Sequence, residues 1–299
     1  MTIGLALLAA MGFAAAAVTS KRGLVGANTL GGLAISLPAG LLVLVGAVVI
    51  APPSEITLSL LPMLVLAGVL GSGIGRLLMI AGLSRLNSTV HMPVQTSTHP
   101  LVSVLGAALI LGEPVGALRV AGVLVIISGI WALTRGGGLL GVSDEVTSRL
   151  DESISIPGRM VLLLPIGAGA IYGASDLTIN IAMAGFPHPA FGATVGLFSA
   201  CVVWGAAFGI SGSLRSRVRV GGGRWWFVLQ GVLSAGAILC AYTALRTGEV
   251  SVVSPIIATQ PVWVLVLSTL LLRDVERITG GAVVGSVLAV AGTILVSVS

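Results

Sequence analysis

Three polar side chains recur at helical spacing within an otherwise apolar stretch near residue 90. His91, Gln95 and His99 are each four residues apart, so they fall on one face of a helix. Histidine titrates near physiological pH and can relay protons. Two imidazoles and an amide also suggest a metal site, but the sequence offers no third strong ligand, and we predict none. Proton transfer or contact with a polar solute is the chemistry that this face indicates.

A second polar stripe is centred on an acidic residue in the second half of the chain. Tyr172, Asp176 and Asn180 are again four residues apart within an apolar segment. An ionisable group at bilayer depth costs roughly 2.5–3.5 kcal/mol, so it needs a function or a specific partner. Binding of a cation, exchange of protons with a cavity, and a structural hydrogen bond to a neighbouring helix are the alternatives. We predict that Asp176 faces a cavity.

A buried cation is the third candidate, because Arg76 follows the glycine-rich run GSGIG inside an apolar segment. Its forked guanidinium suits a carboxylate or a phosphate. A side chain that extends to the membrane interface is the simpler alternative, and an ion pair with Asp176 is another. The run GSGIGR superficially resembles a nucleotide-binding loop, but it does not follow a strand.

The elements that carry these residues are those of a polytopic membrane protein. The chain has 299 residues, of which 56% are hydrophobic and only 8% are charged, whereas soluble domains carry about 25% charge. Apolar runs of roughly 20 residues recur along its whole length. We predict an all-α integral membrane protein of the cell membrane, with transmembrane helices at residues 2–20, 29–50, 59–82, 87–111, 116–134, 160–184, 190–210, 225–245, 250–272 and 278–298.

Small residues are expected to hold these helices together, since they let membrane helices approach closely. Pairs of glycines four residues apart are the predicted contact points: Gly71/Gly75, Gly169/Gly173, Gly192/Gly196, Gly205/Gly209 and Gly281/Gly285. The basic residues lie in short loops, where they indicate the orientation of the protein in the membrane, so we expect no nucleic-acid partner. Cys201 and Cys240 form no metal or redox motif, and we predict no cofactor.

The chain divides at its midpoint into two similar halves. Residues 135–159 are polar and separate a first half, 1–134, from a second half, 160–299. A shift of 161 residues places Arg85 on Arg246 and Pro100 on Pro261. Each half holds five predicted spans, and an odd number inverts the second half relative to the first. The expected architecture is therefore ten transmembrane helices in two inverted five-helix repeats, as in secondary transporters.

Prolines interrupt corresponding spans of the two halves. Span four contains Pro93 and Pro100, and the matching stretch of span nine, SPIIATQPVW, contains two more. Paired interruptions of this kind indicate a binding site near the bilayer midplane. Span nine thus adds Gln260 and Trp263 to the candidate site.

The arginine distribution predicts an orientation. The loops after spans one, three, five, seven and nine hold most of the arginines, which places these loops in the cytoplasm and both termini outside.

The segment 83–133 resembles the EamA-type half of the drug/metabolite transporter superfamily. A helix with a central proline is followed by LGEP at 111–114 and then by a glycine-rich final helix. Gly112 and Glu113 match the pattern that closes the fourth span of that family, whereas the second copy departs from it with Arg273 and Asp274. The resemblance implies ten helices, an export function and cytoplasmic termini, and the last of these opposes the arginine distribution.

These observations predict a secondary active transporter, not an enzyme, that exports a small polar metabolite such as an amino acid by alternating access. Protons are the candidate coupling ions, at Asp176, His91 and His99. No catalytic motif and no ATP-binding motif is present. An exporter of quaternary ammonium compounds or drugs is the alternative, with an intramembrane enzyme or a channel as weaker ones. The predicted substrate-binding residues are Arg76, His91, Gln95, His99, Tyr172, Asp176, Asn180, Gln260 and Trp263.

Overall fold

The computed structural model describes residues 2–111, 160–247, 256–275 and 280–297, together with isolated residues at 118, 121–122, 124–125, 128–129 and 253. Predicted span five is covered only by those isolated positions. The predicted linker 135–159 and the Gly112-Glu113 pair lie outside the described residues.

The described residues are almost entirely helical, as the apolar pattern predicts. The long helices are α1 (Thr2–Gly23), α2 (Thr29–Ile50), α3 (Leu58–Leu83), α4 (Ser88–Leu111), α5 (Leu163–Ala184), α6 (Pro189–Ile210), α7 (Arg224–Thr247), α8 (Gln260–Leu271) and α9 (Gly280–Ser297). A short helix, Gly212–Ser216, lies between α6 and α7. Within these ranges the extended pairing is limited to an isolated bridge between Ala27 and Val220.

Five of these helices, α1, α2, α3, α6 and α7, are long and apolar enough to cross a membrane. Their outer faces carry large apolar side chains, with Leu42, Ile50 and Ile210 at least 74% exposed. In water such a surface would be costly, whereas in a bilayer it contacts lipid tails. The helices therefore belong to a multi-pass membrane protein.

Prolines were predicted to interrupt spans four and nine, and they affect the corresponding helices, α4 and α8, differently. Pro261 lies in the first turn of α8, where its missing N–H breaks no helical bond. Within the predicted span 250–272, Val253, Ile256 and Ile257 are helical as well. Helix α4 instead runs without interruption through Pro93 and Pro100. Neighbouring helices can satisfy the backbone groups that a proline frees inside a membrane span.

Helix α3 changes its winding in the middle of its length. An α-helical segment, Leu61–Gly68, is followed by a π-helical segment, Val69–Gly75, and by a second α-helical segment that begins at Arg76. The indole of Trp204 on α6 donates a hydrogen bond to the Gly73 carbonyl oxygen at 3.3 Å. Short π-helical segments occur frequently at functional sites.

Glycines set the distance between the central helices. Backbones of α3 and α6 meet at Gly68 and Gly196, and a Cβ atom on Gly68 would lie 1.9 Å from the Gly196 carbonyl oxygen. A Cβ atom on Gly173 of α5 would lie 2.6 Å from the His99 carbonyl oxygen of α4. By contrast, no described atom lies within 4 Å of such an atom on Gly205 or Gly209, so this pair forms no helix contact with the described residues.

Two basic side chains at the end of α1 bind the ends of other helices. Lys21 is buried and donates from Nζ to the carbonyl oxygens of Leu83 (2.8 Å) and Leu86 (2.9 Å). These carbonyls lie at the carboxyl end of α3, where a cation is favourable. Arg22 donates to the Asp274 carboxylate, which follows α8, at 2.5 Å. This hydrogen bond lowers the pKa of the Asp274 carboxyl.

A candidate solute-binding cavity

A cavity of about 100 Å³ lies among the central helices. A buried water needs roughly 10–15 Å³ of such space, so the cavity has room for several waters or a small solute. Most of its wall is apolar and includes Met79, Met92 and Ile179. Its polar lining residues are Ser72, Arg76, Gln95, His99, Tyr172, Ser175, Asp176, Gln230, Ser234, Tyr242 and Gln260. A largely apolar pocket with a few polar groups is typical of a small-molecule site.

An imidazole–carboxylate pair lies on the wall formed by α4 and α5. His99 Nε2 and Asp176 Oδ2 are 2.6 Å apart, and their side chains are 15% and 19% exposed. When Asp176 is ionised, the Nε2–H group is the donor of this bond. The close approach is possible because Gly173, one turn before Asp176, lets the α5 backbone touch the His99 carbonyl oxygen. The Tyr172 ring lies beside the imidazole, with 6.3 Å between ring centroids.

A guanidinium without an acidic partner lies on the wall formed by α3 and α7. Arg76 is only 3% exposed, so its side chain does not extend to the membrane interface. Its Nη2 donates to Ser234 Oγ at 2.6 Å, and its Nη1 has no hydrogen-bond partner in the part of the chain that the structure describes. Among the described residues no carboxylate pairs with it, because Asp176 is bonded to His99. The Arg76–Asp176 ion pair considered from sequence is therefore not formed.

Helix α7 supplies a polar face that the sequence analysis missed. Gln230 is fully buried in the wall of the cavity, and among the described residues neither its Nε2 nor its Oε1 has a hydrogen-bond partner. Ser234 follows one helical turn later, and Tyr242 two turns after that. The i, i+4 spacing of Gln230 and Ser234 within an apolar span is the signal that led to His91, Gln95 and His99, and it identifies these residues equally well.

The cavity includes some of the predicted residues and leaves out others. Arg76, Gln95, His99, Tyr172, Asp176 and Gln260 line it.

Three predicted residues do not line the cavity. His91 is fully buried beside Gly82, and its Nε2 lies 3.0 Å from Gln95 Oε1. Trp263 is partly buried and packs against the apolar core, and Asn180 is partly exposed one turn beyond Asp176. Eight helical residues span about 12 Å, so a stripe of that length extends beyond a small cavity. The groups that remain can bind a polar solute and exchange a proton, and no cluster of His, Cys, Asp or Glu that could hold a metal occurs in the described residues.

The chain is similar to a family of transporters and to a solved structure. The EamA-like transporter family matches residues 1–135 and 159–298. A solved structure, described only as the crystal structure of a protein, aligns with a TM-score of 0.62 at 17% identity, over 96% of this chain and 97% of its own. At this identity the likeness shows a shared fold alone. No curated protein matches the sequence. Because the family match covers nearly the whole chain and confirms the resemblance found in segment 83–133, the protein belongs to the EamA-like transporter family.

Proposed function

We propose that the protein is a secondary active transporter that exports a small polar metabolite across the cell membrane by alternating access. The observation that carries this proposal is the cavity, which holds Arg76, Asp176 and His99 among otherwise apolar helices. Buried ionisable groups are costly in a membrane and typically mark a solute or ion pathway. The direction of transport and the location in the cell membrane are inferred by analogy with the family.

The proposed route depends on two inverted five-helix repeats, 1–134 and 160–299, joined by a linker at 135–159. Helix bounds support this arrangement: α1 (Thr2–Gly23) and α5 (Leu163–Ala184) are offset by 161 residues at both ends, and α2 (Thr29–Ile50) and α6 (Pro189–Ile210) by 160. In addition, the first helix of each half packs against helices of the other half. Helix α1 packs on α7 and α8, and its counterpart α5 packs on α3 and α4, the counterparts of those two helices.

The cavity lies between the two proposed repeats. Arg76, Gln95 and His99 come from α3 and α4 of the first half, whereas Gln230, Ser234 and Gln260 come from α7 and the start of α8 in the second. A rocking motion of one half against the other would open such a site to alternate sides of the membrane. The solute would stay bound at the site while the side of the membrane from which the site is accessible changes.

Proton coupling is proposed for the His99–Asp176 pair. Addition of a proton to Asp176 removes the negative charge that attracts the imidazole, and so weakens the link between α4 and α5 that this pair forms. A proton and a solute that both depend on this contact are thereby coupled. His91 was a further candidate from sequence, but it lies outside the cavity and is not part of this proposal.

Flux through reconstituted vesicles tests the proposal. The purified full-length chain is placed in liposomes, and uptake of radiolabelled L-amino acids is measured with and without an imposed pH gradient. We expect accumulation driven by the gradient in the wild type and none in Asp176→Asn. Asp274→Asn, which alters an exposed acid away from the cavity, is the matched control and should transport normally. Gradient-driven accumulation that survives in Asp176→Asn would refute the coupling role.

The rival function, export of a quaternary ammonium compound, fits the cavity less well. Tyr172 and Tyr242 near Asp176 offer an acid among aromatic rings, as such a ligand requires. The Arg76 guanidinium, however, lines the same cavity and repels a permanent cation. A solute with an anionic group removes that repulsion.

A further inference from the structure

We infer that the solute carries a single carboxylate and that Arg76, Ser234 and Gln230 form the subsite that binds it. This inference rests on the proposed function, because it assigns a substrate class to the same cavity. The proposed subsite lies on the wall formed by α3 and α7. This wall carries a positive charge, whereas the wall with the His99–Asp176 pair carries an acidic group.

The charge on Arg76 requires a counter-ion. An arginine side chain remains protonated in proteins, and burying such a charge without a partner is strongly unfavourable. Arg76 is 3% exposed, and its one described hydrogen bond goes to a neutral hydroxyl. The free Nη1 belongs to a side chain in the cavity wall. An anion bound in the cavity would supply the missing charge and the missing acceptor together.

The Ser234 hydroxyl adds a second donor. Its oxygen accepts the hydrogen bond from Arg76 Nη2, which leaves its own hydrogen to be donated elsewhere. No acceptor for that hydrogen occurs among the described residues, and the side chain lines the cavity. The guanidinium and the hydroxyl therefore both offer hydrogen-bond donors, which suit an anion and not a cation.

The Gln230 amide supplies a third group on the same face. It lies one helical turn before Ser234, is fully buried, and has no partner for either amide atom. Unpartnered buried polar atoms are rare in folded proteins and call for an explanation. A solute oxygen that accepts from Nε2 would give one once the amide turns toward the cavity that this residue lines.

The number of charges favours a carboxylate over a phosphate. Of the described residues that line the cavity, Arg76 is the sole arginine or lysine, and Asp176 adds a negative charge. A phosphate monoester brings about −1.5 to −2 charges at pH 7, more than one guanidinium offsets. A planar carboxylate brings one charge and accepts two parallel hydrogen bonds from a guanidinium. The cavity of about 100 Å³ has room for a compact monocarboxylate.

Paired ligands that differ only in this group test the inference. The L-amino acids and the monocarboxylates from acetate to hexanoate are each compared with the corresponding primary amide. Thermal unfolding of the purified full-length protein in detergent reports binding, since a ligand that binds the native state raises Tm. We expect at least one carboxylate to raise the Tm and its amide to have no effect. Arg76→Gln should weaken the apparent affinity for that carboxylate by roughly 100-fold.

Three further variants complete the design. Arg76→Lys keeps the charge but loses the fork, and should retain weaker carboxylate binding. Arg215→Gln removes an exposed arginine in the loop before α7 and should bind like the wild type. If Arg76→Gln does not yield a monodisperse protein, Ser234→Ala carries the test and should weaken binding by roughly tenfold.

Several outcomes overturn the inference. These are amides that stabilise the protein as well as carboxylates do, carboxylate affinity that Arg76→Gln leaves unchanged, and failure of every carboxylate to raise the Tm. Gradient-driven flux of an uncharged or purely cationic solute in the vesicle assay would also overturn it, and would leave the proposed transport function in place. Absence of any flux would count against the transport function instead.

Discussion

The contact between Gly68 and Gly196 allows a quantitative prediction for Gly68→Ala. A Cβ atom on Gly68 would lie 1.9 Å from the Gly196 carbonyl oxygen and 2.3 Å from its Cα, whereas ordinary contacts begin at 3.4 Å. The contacted atoms belong to backbone and cannot rotate away. Helices α3 and α6 must therefore separate locally by about 1.5 Å, the difference between 3.4 and 1.9 Å.

Overpacking of this kind costs typically about 1–3 kcal/mol. The separation also lengthens the contact from Ser199 Oγ to the Val65 carbonyl oxygen, now 3.2 Å. The same hydroxyl donates to the Gly196 carbonyl oxygen at 2.7 Å, so this change adds only a fraction of about 1 kcal/mol. Alanine recovers up to about 1 kcal/mol because it favours a helix more than glycine does. The net destabilisation expected for Gly68→Ala is about 1–3 kcal/mol.

The matched control is Gly205→Ala in α6, where nothing lies within 4 Å of the added atom. This variant keeps the gain in helix propensity without the overlap, so it should be neutral or more stable by up to about 1 kcal/mol. Reversible unfolding of both variants in mixed detergent micelles measures the difference. Equal stability of the two variants would refute the argument that backbone contact between α3 and α6 limits side-chain size.

Two predictions concern the end of α1. Lys21→Met should lower the free energy of unfolding by about 2–3 kcal/mol, since it removes two charged hydrogen bonds to the carbonyl oxygens of Leu83 and Leu86. Arg22→Met, which loses an exposed ion pair, should lower it much less in the same micelle assay. Asp274→Asn should lower the Tm at pH 7, because the Arg22 hydrogen bond lowers the pKa of Asp274 and stabilises the folded state wherever the carboxyl is ionised. That difference should shrink below the ordinary aspartate pKa of about 3.9 and disappear only as the pH falls through the lowered pKa of Asp274 in the folded state. A Tm difference that persists once the folded carboxyl is protonated would refute the prediction.

Helix positions could be predicted from sequence because the lipid-facing requirement is strict. The apolar run 29–50 lies between a loop and APPSEIT, and α2 has the same bounds, Thr29–Ile50. The start of α8 also had a signal in the sequence, since proline is favoured in the first turn of a helix and Pro261 lies there. The π-helical winding of Val69–Gly75 had none, because GSGIG is equally compatible with an α-helix.

Site residues were predictable by type but not by depth. Polar groups in apolar spans led to Arg76, His99 and Asp176, all of which line the cavity. Helical spacing fixes a face yet says nothing about where along that face a neighbouring helix fills the space, and His91 is covered by the wall at Gly82 for this reason. Gln230 was missed although it obeys the same spacing rule.

The π-helical segment before Arg76 behaves as a one-residue insertion in a helix that is otherwise regular. Each residue of an α-helix turns the chain by about 100°. Without the extra residue, either Arg76 or the Leu61–Gly68 face that contacts α6 would turn by that angle, and the two could not be satisfied together. The π-helical segment thus lets one helix present Arg76 to the cavity and the Leu61–Gly68 face to α6 at the same time. Deletion of one residue from Val69–Gly75 should therefore turn Arg76 away from the cavity wall or break the contact with α6.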